Sequence, residues 1–309
     1  MIFTYHFGGI GITSEIPLTG LHEAPADAAF GSAIHVVGGS GPPPVEERSH
    51  FVWQGRFGLR LGEAGGHWLI SVPWGAFQFD AAAERVRIFG LEGPEQTILN
   101  DIFVRRVLPR LVKLKGATTY HAASLARDGA GVLLMGQSGA GKSTMSIGLA
   151  ATGRWALLGD DMALLWHAAD DVIAPAGAEA GVWASSCDGL GLDERDYRPL
   201  SGYDGKHLYR QRSAPDAAPA RAAGLFFLDR AECAVPTAVR CTPAEAFKQA
   251  LTQIIYFNPS GDAAAERLAS VQQLNAMLAR VPAWTLTYPP SFAAVGEVSE
   301  VIEAALEGS

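Results

Sequence analysis

The chain has 309 residues, enough for one large domain or two modest ones that each bury a core. Its hydrophobic content of 48% and charged content of 18% are typical of a soluble globular protein, and no apolar run is long enough to span a bilayer. The net charge of −8 argues against a nucleic-acid partner, which would require a basic face.

Residues 1–112 are predicted to form a β-rich N-terminal domain. Short β-prone runs, such as residues 68–72 and 86–89, are separated by turns containing Gly or Asp. The aromatic side chains of this domain are more typical of a hydrophobic core than of a binding site. Apolar residues recur at helical spacing between residues 95 and 108, and Pro109 is expected to limit this helix.

Residues 113–309 are predicted to form an α/β domain. A strand at 118–126 turns at 128–131 and returns as a second strand at 132–135. The elements predicted after it are a helix at 143–151, an apolar strand at 155–161, a hairpin of 162–166 with 172–173, long loops over 176–222, a strand at 224–229, helices at 243–257 and 262–280, a strand at 284–288 and a helix at 291–307. Thr242 and Glu245 are spaced as a capping box, with Pro243 at the first helical position.

The stretch from residue 136 to residue 144 fits the phosphate-loop pattern G-x-x-x-x-G-K-[ST] without a mismatch. Its residues are Gly136, Gln137, Ser138, Gly139, Ala140, Gly141, Lys142, Ser143 and Thr144. Backbone N–H groups of such a loop, with the positive end of the following helix, wrap polyphosphate oxygens. Lys142 would reach the β- and γ-phosphates, and the Ser143 hydroxyl would ligate Mg²⁺. The pattern therefore predicts a nucleotide site, and a Gly-rich turn that binds nothing is the alternative.

Asp160 and Asp161 close a buried strand, at the end that a parallel sheet would bring beside the phosphates. Paired carboxylates there suit two tasks, holding Mg²⁺ and accepting a proton from an attacking hydroxyl. An acidic turn is the alternative. His121 lies on the neighbouring strand, where a lone His is more often a packing residue than a catalytic one.

The run from His121 through the phosphate loop to the two aspartates resembles the kinase domain of HPr kinase/phosphorylase. That family carries a His on the preceding strand, a G-x-S-G-x-G-K-S loop and an Asp-Asp pair, and the His-to-Lys spacing here (142 − 121 = 21) matches it. The resemblance implies a P-loop kinase fold akin to that of phosphoenolpyruvate carboxykinase. It also implies that Lys142 contacts phosphate, that Ser143 and Asp160 hold Mg²⁺, and that Asp161 is the base, supported by Asp160 and His121.

Two features differ from the HPr enzymes. Gln137 stands where Asp is usual, and the downstream Glu-Ile-Arg-Gly-Leu-Gly-type signature is not visible. The pattern V-P-A-W-T-L-T-Y-P at residues 281–289 is similar to the ends of HPr-kinase-related proteins, some of which phosphorylate the C-terminal Ser of lasso-peptide precursors.

The resemblance thus implies an ATP- and Mg²⁺-dependent kinase that phosphorylates a Ser hydroxyl of a peptide or small protein, with a lasso-peptide precursor as the preferred substrate. Two alternatives stay open: an HPr-Ser kinase acting on a carrier protein, and a nucleotide-gated binding module with incidental ATPase activity. We predict no nucleic-acid or membrane partner, leave a homo-oligomer open, and expect a cytoplasmic location because the N-terminus lacks an export signal.

The segment predicted to be irregular carries several basic residues. A cation from it could stabilise charge on a transferring phosphoryl group. Solvated loop charges are the alternative for each of them. The four candidates are Arg198, Lys206, Arg210 and Arg212.

Overall fold

The chain has a mixed α/β fold with several sheets. The computed structural model describes residues 1–24, 28, 30–53, 57–92, 95–167, 170–212, 217–259 and 261–308. The chain divides into two compact units. The first comprises Met1–Gly116 with Phe257–Gly261, and the second comprises Ala117–Tyr256 with Asp262–Ser309.

The first unit contains a sheet of nine strands among its described residues. The strands are Phe3–Phe7 (β1), Ile10–Ser14 (β2), His22–Glu23 (β3), Ala33–Gly38 (β4), Arg48–Val52 (β5), Arg60–Ala64 (β6), His67–Val72 (β7), Gly75–Phe79 (β8) and Arg85–Phe89 (β9). Their order in the sheet is β3-β1-β2-β4-β9-β8-β7-β6-β5. The β2–β4 and β4–β9 pairs are parallel, whereas β5 to β9 form an antiparallel meander.

A long helical segment closes the first unit, and the prediction that Pro109 limits its helix is wrong. Gln96–Ile102 (α1) continues through a π-helical stretch, Phe103–Val107, into Leu108–Leu114 (α2). Pro109 lies in the first turn of α2, directly after the π-helical stretch, and proline is tolerated in the first turn of a helix. Phe103 is fully buried and stacks on Phe77 of β8 at 5.8 Å between ring centroids.

The second unit has two sheets and five helices among its described residues. In chain order its elements are Thr118–Tyr120 (β10), Ala122–Arg127 (β11), Ala130–Met135 (β12), Lys142–Ala151 (α3), Ala156–Gly159 (β13), Ala163–Trp166 (β14), Val172–Ala174 (β15), Ala180–Trp183 (β16), Ala184–Leu190 (α4), the 3-10 turn Glu194–Asp196, Tyr197–Pro199 (β17), Lys206–Tyr209 (β18), Ala220–Arg230 (β19), Thr237–Arg240 (β20), Pro243–Leu251 (α5), Ala263–Leu278 (α6), Ala283–Tyr288 (β21), the 3-10 turn Phe292–Ala294, and Val295–Glu307 (α7).

Strand direction brings several strand ends to one edge of the larger sheet. β12 runs parallel to β19, and β19 runs parallel to β21. β11 is antiparallel to both β12 and β13, so β13 points the same way as β12. The carboxyl ends of β12, β13, β19 and β21 therefore share an edge with the start of β11. Ligands of open α/β sheets bind at such an edge.

Helices cover both faces of this sheet, so a hydrophobic core lies on each face. Successive side chains of β12 point alternately into one core and the other. Val132 and Leu134 point into the cluster that includes α3 and α7, whereas Leu133 and Met135 point into the cluster that includes α5 and α6. All four side chains are fully buried. A sheet buried on both faces explains why this strand reads as a continuous apolar run.

Two sequence predictions for the second unit are wrong. Residues 176–222 were expected to be long loops, but they contain α4 and a small antiparallel sheet in the order β16-β18-β17. Helix α5 begins at the predicted capping box but ends at Leu251 instead of near Phe257. Its backbone leaves the helix because Ile254 bridges Tyr120 and the Ile255 N–H donates to the Thr119 carbonyl at 2.8 Å.

Other elements agree with the sequence. The hairpin of β14 with β15, the strands β19 and β21, and the helix α6 lie within one to four residues of their predicted bounds. The predicted strand at 118–126 is divided at His121 into β10, which pairs with β14, and β11, which pairs with β12 and β13.

No helix in the described part of the chain is both long and apolar enough to cross a membrane.

The packing of α7 on the sheet generates a stability prediction. Trp155 is fully buried and its indole N–H donates to the Ser299 hydroxyl at 2.9 Å, and that hydroxyl donates to Glu303 at 2.8 Å. Ser299→Ala leaves the indole N–H without its acceptor, so we expect a loss of about 1–3 kcal/mol in the free energy of unfolding, measured by urea denaturation. Glu300→Ala, on the exposed side of α7, is the control and should change it by less than about 0.5 kcal/mol. Equal effects of the two substitutions would contradict this role of Ser299.

Candidate functional site

The loop between β12 and α3 folds back over the start of the helix. Gly139 and Gly141 have φ angles of 85° and 89°, in the left-handed region that favours glycine. The Ala140 N–H donates to the Gln137 carbonyl at 3.1 Å, and the Met145 N–H donates to the Gly141 carbonyl at 2.8 Å. The loop therefore ends at the N-terminus of α3, where an anion is favoured.

Lys142 is held against the inside of this loop. Its ammonium donates to the carbonyls of Gly136 and Gln137 at 2.7 and 3.1 Å, and its residue is only 7% exposed. Burial lowers the pKa of Lys142, while the nearby carboxylates of Asp161 and Asp160 act in the opposite direction. The side chain is thus a buried cation that donates to two carbonyl dipoles, which suits it to receive an anion.

Asp160 connects the loop helix to the small sheet. One oxygen of its carboxylate accepts a hydrogen bond from the Ser143 hydroxyl at 2.7 Å, and the other accepts from the Gly181 N–H at 2.8 Å. Gly181 lies in β16. These contacts fix the Ser143 hydroxyl beside a carboxylate oxygen at the first turn of α3.

Asp161 turns sharply away from β13. Its φ angle of 64° is in the left-handed region, and the Met162 N–H donates to the Asp160 carbonyl at 2.7 Å to close the turn. A non-glycine residue in this region costs about 1–2 kcal/mol, although Asp and Asn tolerate it better than most residues. This conformation brings Asp161 to the wall of the cavity that Lys142 also lines.

His121 lies between β10 and β11, close to the first glycine of the loop. The backbone N–H of His121 donates to the backbone carbonyl of Gln253 at 2.7 Å. In the amide orientation that satisfies its neighbours, Gln253 donates to the carbonyls of His121 and Gly136 at 3.1 and 3.2 Å. Gln253 thereby fixes His121 next to the loop, and the His121 residue lines the same cavity.

A cavity of about 410 Å³ brings most of the predicted site residues together. Those that line it are His121, Ser138, Gly139, Gly141, Lys142, Ser143, Thr144 and Asp161. The other four predicted residues, Gly136, Gln137, Ala140 and Asp160, do not line the cavity but contact residues that do. Gly136 and Gln137 hold Lys142, Asp160 holds Ser143, and the Ala140 carbonyl accepts from the Tyr288 hydroxyl at 2.6 Å.

The donor set fits a nucleotide with Mg²⁺. In the described part of the chain no group of three or more His, Cys, Asp or Glu side chains is placed to hold a metal ion. Mg²⁺ does not require such a cage, because it is usually held by one or two carboxylates together with waters and substrate phosphates. The Ser143 hydroxyl and the Asp160 carboxylate, 2.7 Å apart, are the residues that would hold it.

Several cavity residues were not found from the sequence. Tyr288 ends β21, and burial raises the pKa of its hydroxyl. Because β21 runs parallel to β19, its last residue lies at the same end of the sheet as the last residue of β19. Had this direction been predicted, it could have indicated Tyr288 as a site residue. Ser186 contacts the Thr144 hydroxyl at 3.1 Å, but it belongs with Trp183 to the segment that showed no periodicity, so no sequence signal pointed to either.

The two left-handed glycines allow a matched test of the loop geometry. A Cβ at residue 141 would lie 2.4 Å from the Tyr288 hydroxyl oxygen, whereas a Cβ at residue 139 meets nothing within 4 Å. Tyr288 is only 5% exposed and has little room to move. Each Gly→Ala substitution should cost about 1–2 kcal/mol of unfolding free energy for the backbone alone, and Gly141→Ala should cost more than Gly139→Ala.

Tyr288→Phe separates the contact from the backbone strain. Alone it should cost about 0.5–1.5 kcal/mol, because it removes the hydrogen bond to the Ala140 carbonyl. Combined with Gly141→Ala it should remove the excess cost of that substitution, as measured by a double-mutant cycle in urea. Additive effects of Gly141→Ala and Tyr288→Phe would show that the tyrosine does not restrict residue 141.

Comparisons with known proteins add little to this geometry. No family model matches the chain, and no curated protein matches it. Among solved structures the chain is similar to that of the Hpr(Ser) kinase/phosphatase from Coxiella burnetii, with 13% sequence identity, a TM-score of 0.31, and coverage of 62% of this chain and 97% of that one. A likeness this remote assigns neither a fold nor an activity.

Proposed function

We propose that this chain is an ATP- and Mg²⁺-dependent kinase that transfers the γ-phosphate to a Ser hydroxyl of a peptide. The observation that carries the proposal is that one cavity is lined both by the phosphate loop with Lys142 and by Asp161. The first group suits binding of a polyphosphate, and the second suits acceptance of a proton. A kinase needs both groups at one place.

Lys142 is the group that would hold the β- and γ-phosphates. A buried ammonium pays a desolvation cost that carbonyl dipoles only partly offset. Phosphate oxygens would offer it full negative charge and stronger, charge-assisted hydrogen bonds. The loop N–H groups and the N-terminus of α3 would share that negative charge.

Ser143 and Asp160 would hold Mg²⁺, which when bound neutralises charge on the β- and γ-phosphate oxygens. Because both oxygens of Asp160 accept hydrogen bonds from the protein, its position is fixed. Fixed charges of this kind stabilise a transition state without having to reorganise. His121, which lines the cavity, would also support the phosphates.

Asp161 would act as the general base. In the proposed step the acceptor hydroxyl oxygen forms a bond to the γ-phosphorus, and its proton moves to the Asp161 carboxylate. The bond between the γ-phosphorus and the bridging oxygen to the β-phosphate breaks, and ADP leaves with that electron pair. Catalysis then rests mainly on positioning and on charge stabilisation, as is usual for phosphoryl transfer.

The proposed acceptor is a Ser in a peptide, with a lasso-peptide precursor preferred because of the resemblance at residues 281–289. Incubation with ATP and such a precursor should add one phosphoryl group, which mass spectrometry should locate on Ser. A precursor carrying Ser→Ala at that position is the control. Phosphorylation of HPr instead would favour the carrier-protein kinase, and ADP release without any phosphorylated product would favour a nucleotide-gated binding module.

Removal of the loop lysine should abolish the reaction. Lys142→Ala takes away the ammonium that would neutralise the β- and γ-phosphates, so γ-phosphate transfer from labelled ATP to the precursor should fall to background. Lys248→Ala, on the exposed face of α5, removes an equal charge and should transfer normally. Undiminished transfer by Lys142→Ala would refute the assignment.

Removal of the base should separate binding from turnover. Asp161→Asn keeps a residue that tolerates the left-handed backbone, so ATP affinity should stay near that of the wild type. Turnover should fall by about 10²–10⁴-fold, the usual contribution of a general base. Asp128→Asn, another left-handed aspartate on an exposed turn, is the matched control. A loss below about tenfold in the Asp161 variant would exclude it as the base.

A further inference from the structure

Three of the four basic residues singled out in the segment 198–212 are engaged by carboxylates. Arg198 donates to Glu179 at 2.8 and 3.2 Å, and Arg210 lies 3.7 Å from the same carboxylate. Arg212 pairs with Asp196 at 3.1 Å. Each of the three thus already has a carboxylate partner, which Arg198 and Arg210 share, so these residues are poorer candidates for an anion site.

Lys206 differs from the other three. It lies on β18 directly opposite Trp183 of β16, and its ammonium is 5.6 Å from the ring centroids of both Trp183 and Tyr203. Among the described residues no carboxylate pairs with it, and Lys206 and Trp183 both line the cavity of the phosphate loop. Aromatic faces attract an ammonium but leave its net charge in place. Lys206 therefore brings an unneutralised positive charge to the cavity.

The sheet topology places this charge on the side of the aspartates. β16, the partner of β18, is joined to Asp160 by the Gly181 N–H. Arg230, another cation on the cavity wall, ends β19, and β19 lies on the opposite side of β12 from β11 and β13. Of these two cations, Lys206 is thus the one connected to the side where Asp160 and Asp161 lie.

We propose that Lys206, held over Trp183 and Tyr203, is the second cation of the site and binds the terminal phosphate of the nucleotide. This inference rests on the proposed function, because it assigns a partner to the phosphate that Asp161 would help to transfer. Lys142 would then contact the β- and γ-phosphates from the loop, and Lys206 would contact the γ-phosphate from the small sheet. Trp183 is a positioning residue in this arrangement.

Nucleotide binding tests the inference without knowledge of the acceptor. The probes are ADP and a non-hydrolysable ATP analogue, each with Mg²⁺, titrated calorimetrically into the full chain. Lys206→Met should reduce affinity for the triphosphate analogue by about ten- to hundredfold, as expected for one charge-assisted hydrogen bond. Affinity for ADP, which lacks the γ-phosphate that Lys206 would contact, should change by less than about twofold.

Three variants serve as controls. Lys206→Arg keeps the charge and can still lie on aromatic faces, so it should retain most of the preference for the triphosphate. Arg212→Met removes a neutralised charge from the same segment and should keep the wild-type ratio of affinities. Arg230→Met tests the rival cation, and loss of the preference in that variant but not in Lys206→Met would overturn the inference.

The failures of the two proposals are distinguishable. If the wild-type chain bound neither nucleotide, the proposed function would fail and the inference with it. If it bound both and Lys206→Met kept the wild-type ratio, the inference alone would fail. Equal losses in Lys206→Met and Lys206→Arg would also overturn it, because the effect would then depend on shape and not on charge.

Discussion

The direction of the strands in the second unit decides where its polar side chains can meet. Four strands point their carboxyl ends to one edge of the sheet, and β11 starts there because it runs the other way. The loop after β12, the aspartates after β13 and His121 before β11 are far apart in sequence but line or support one cavity. A single reversed strand would remove one of these groups from the site.

At this edge the charges are held in place by hydrogen bonds within the protein. The Lys142 ammonium is bound by loop carbonyls, and the Asp160 carboxylate is bound by the Ser143 hydroxyl and a backbone N–H of the small sheet. Tyr288 supports the loop from the other side through the Ala140 carbonyl. Such preorganisation is what phosphoryl transfer requires from a protein, since the chemistry itself needs mainly alignment and neutralisation of charge.

Local signals account for what the sequence could predict. The glycine spacing of the loop, the apolar run of β12 and the capping box of α5 each depend on a few neighbouring residues, and all three lie where they were predicted. The prediction of long loops over residues 176–222 was wrong because the strands of the small sheet there have only three or four residues, too few to show any periodicity. Trp183 and Ser186 were missed with it, and the end of α5 depends on a tertiary pairing with Tyr120 that local propensity cannot reveal.

The proposed function requires a triphosphate to lie between the loop lysine and the aspartate that follows β13. A crystal structure with Mg²⁺ and a non-hydrolysable ATP analogue tests it most directly. We expect the terminal phosphorus inside the cavity, with the Lys142 ammonium on the phosphate oxygens and the Asp161 carboxylate facing the side from which a hydroxyl would attack. Triphosphate bound elsewhere, or both aspartates turned away from the terminal phosphorus with no path toward it, would contradict the proposed kinase function.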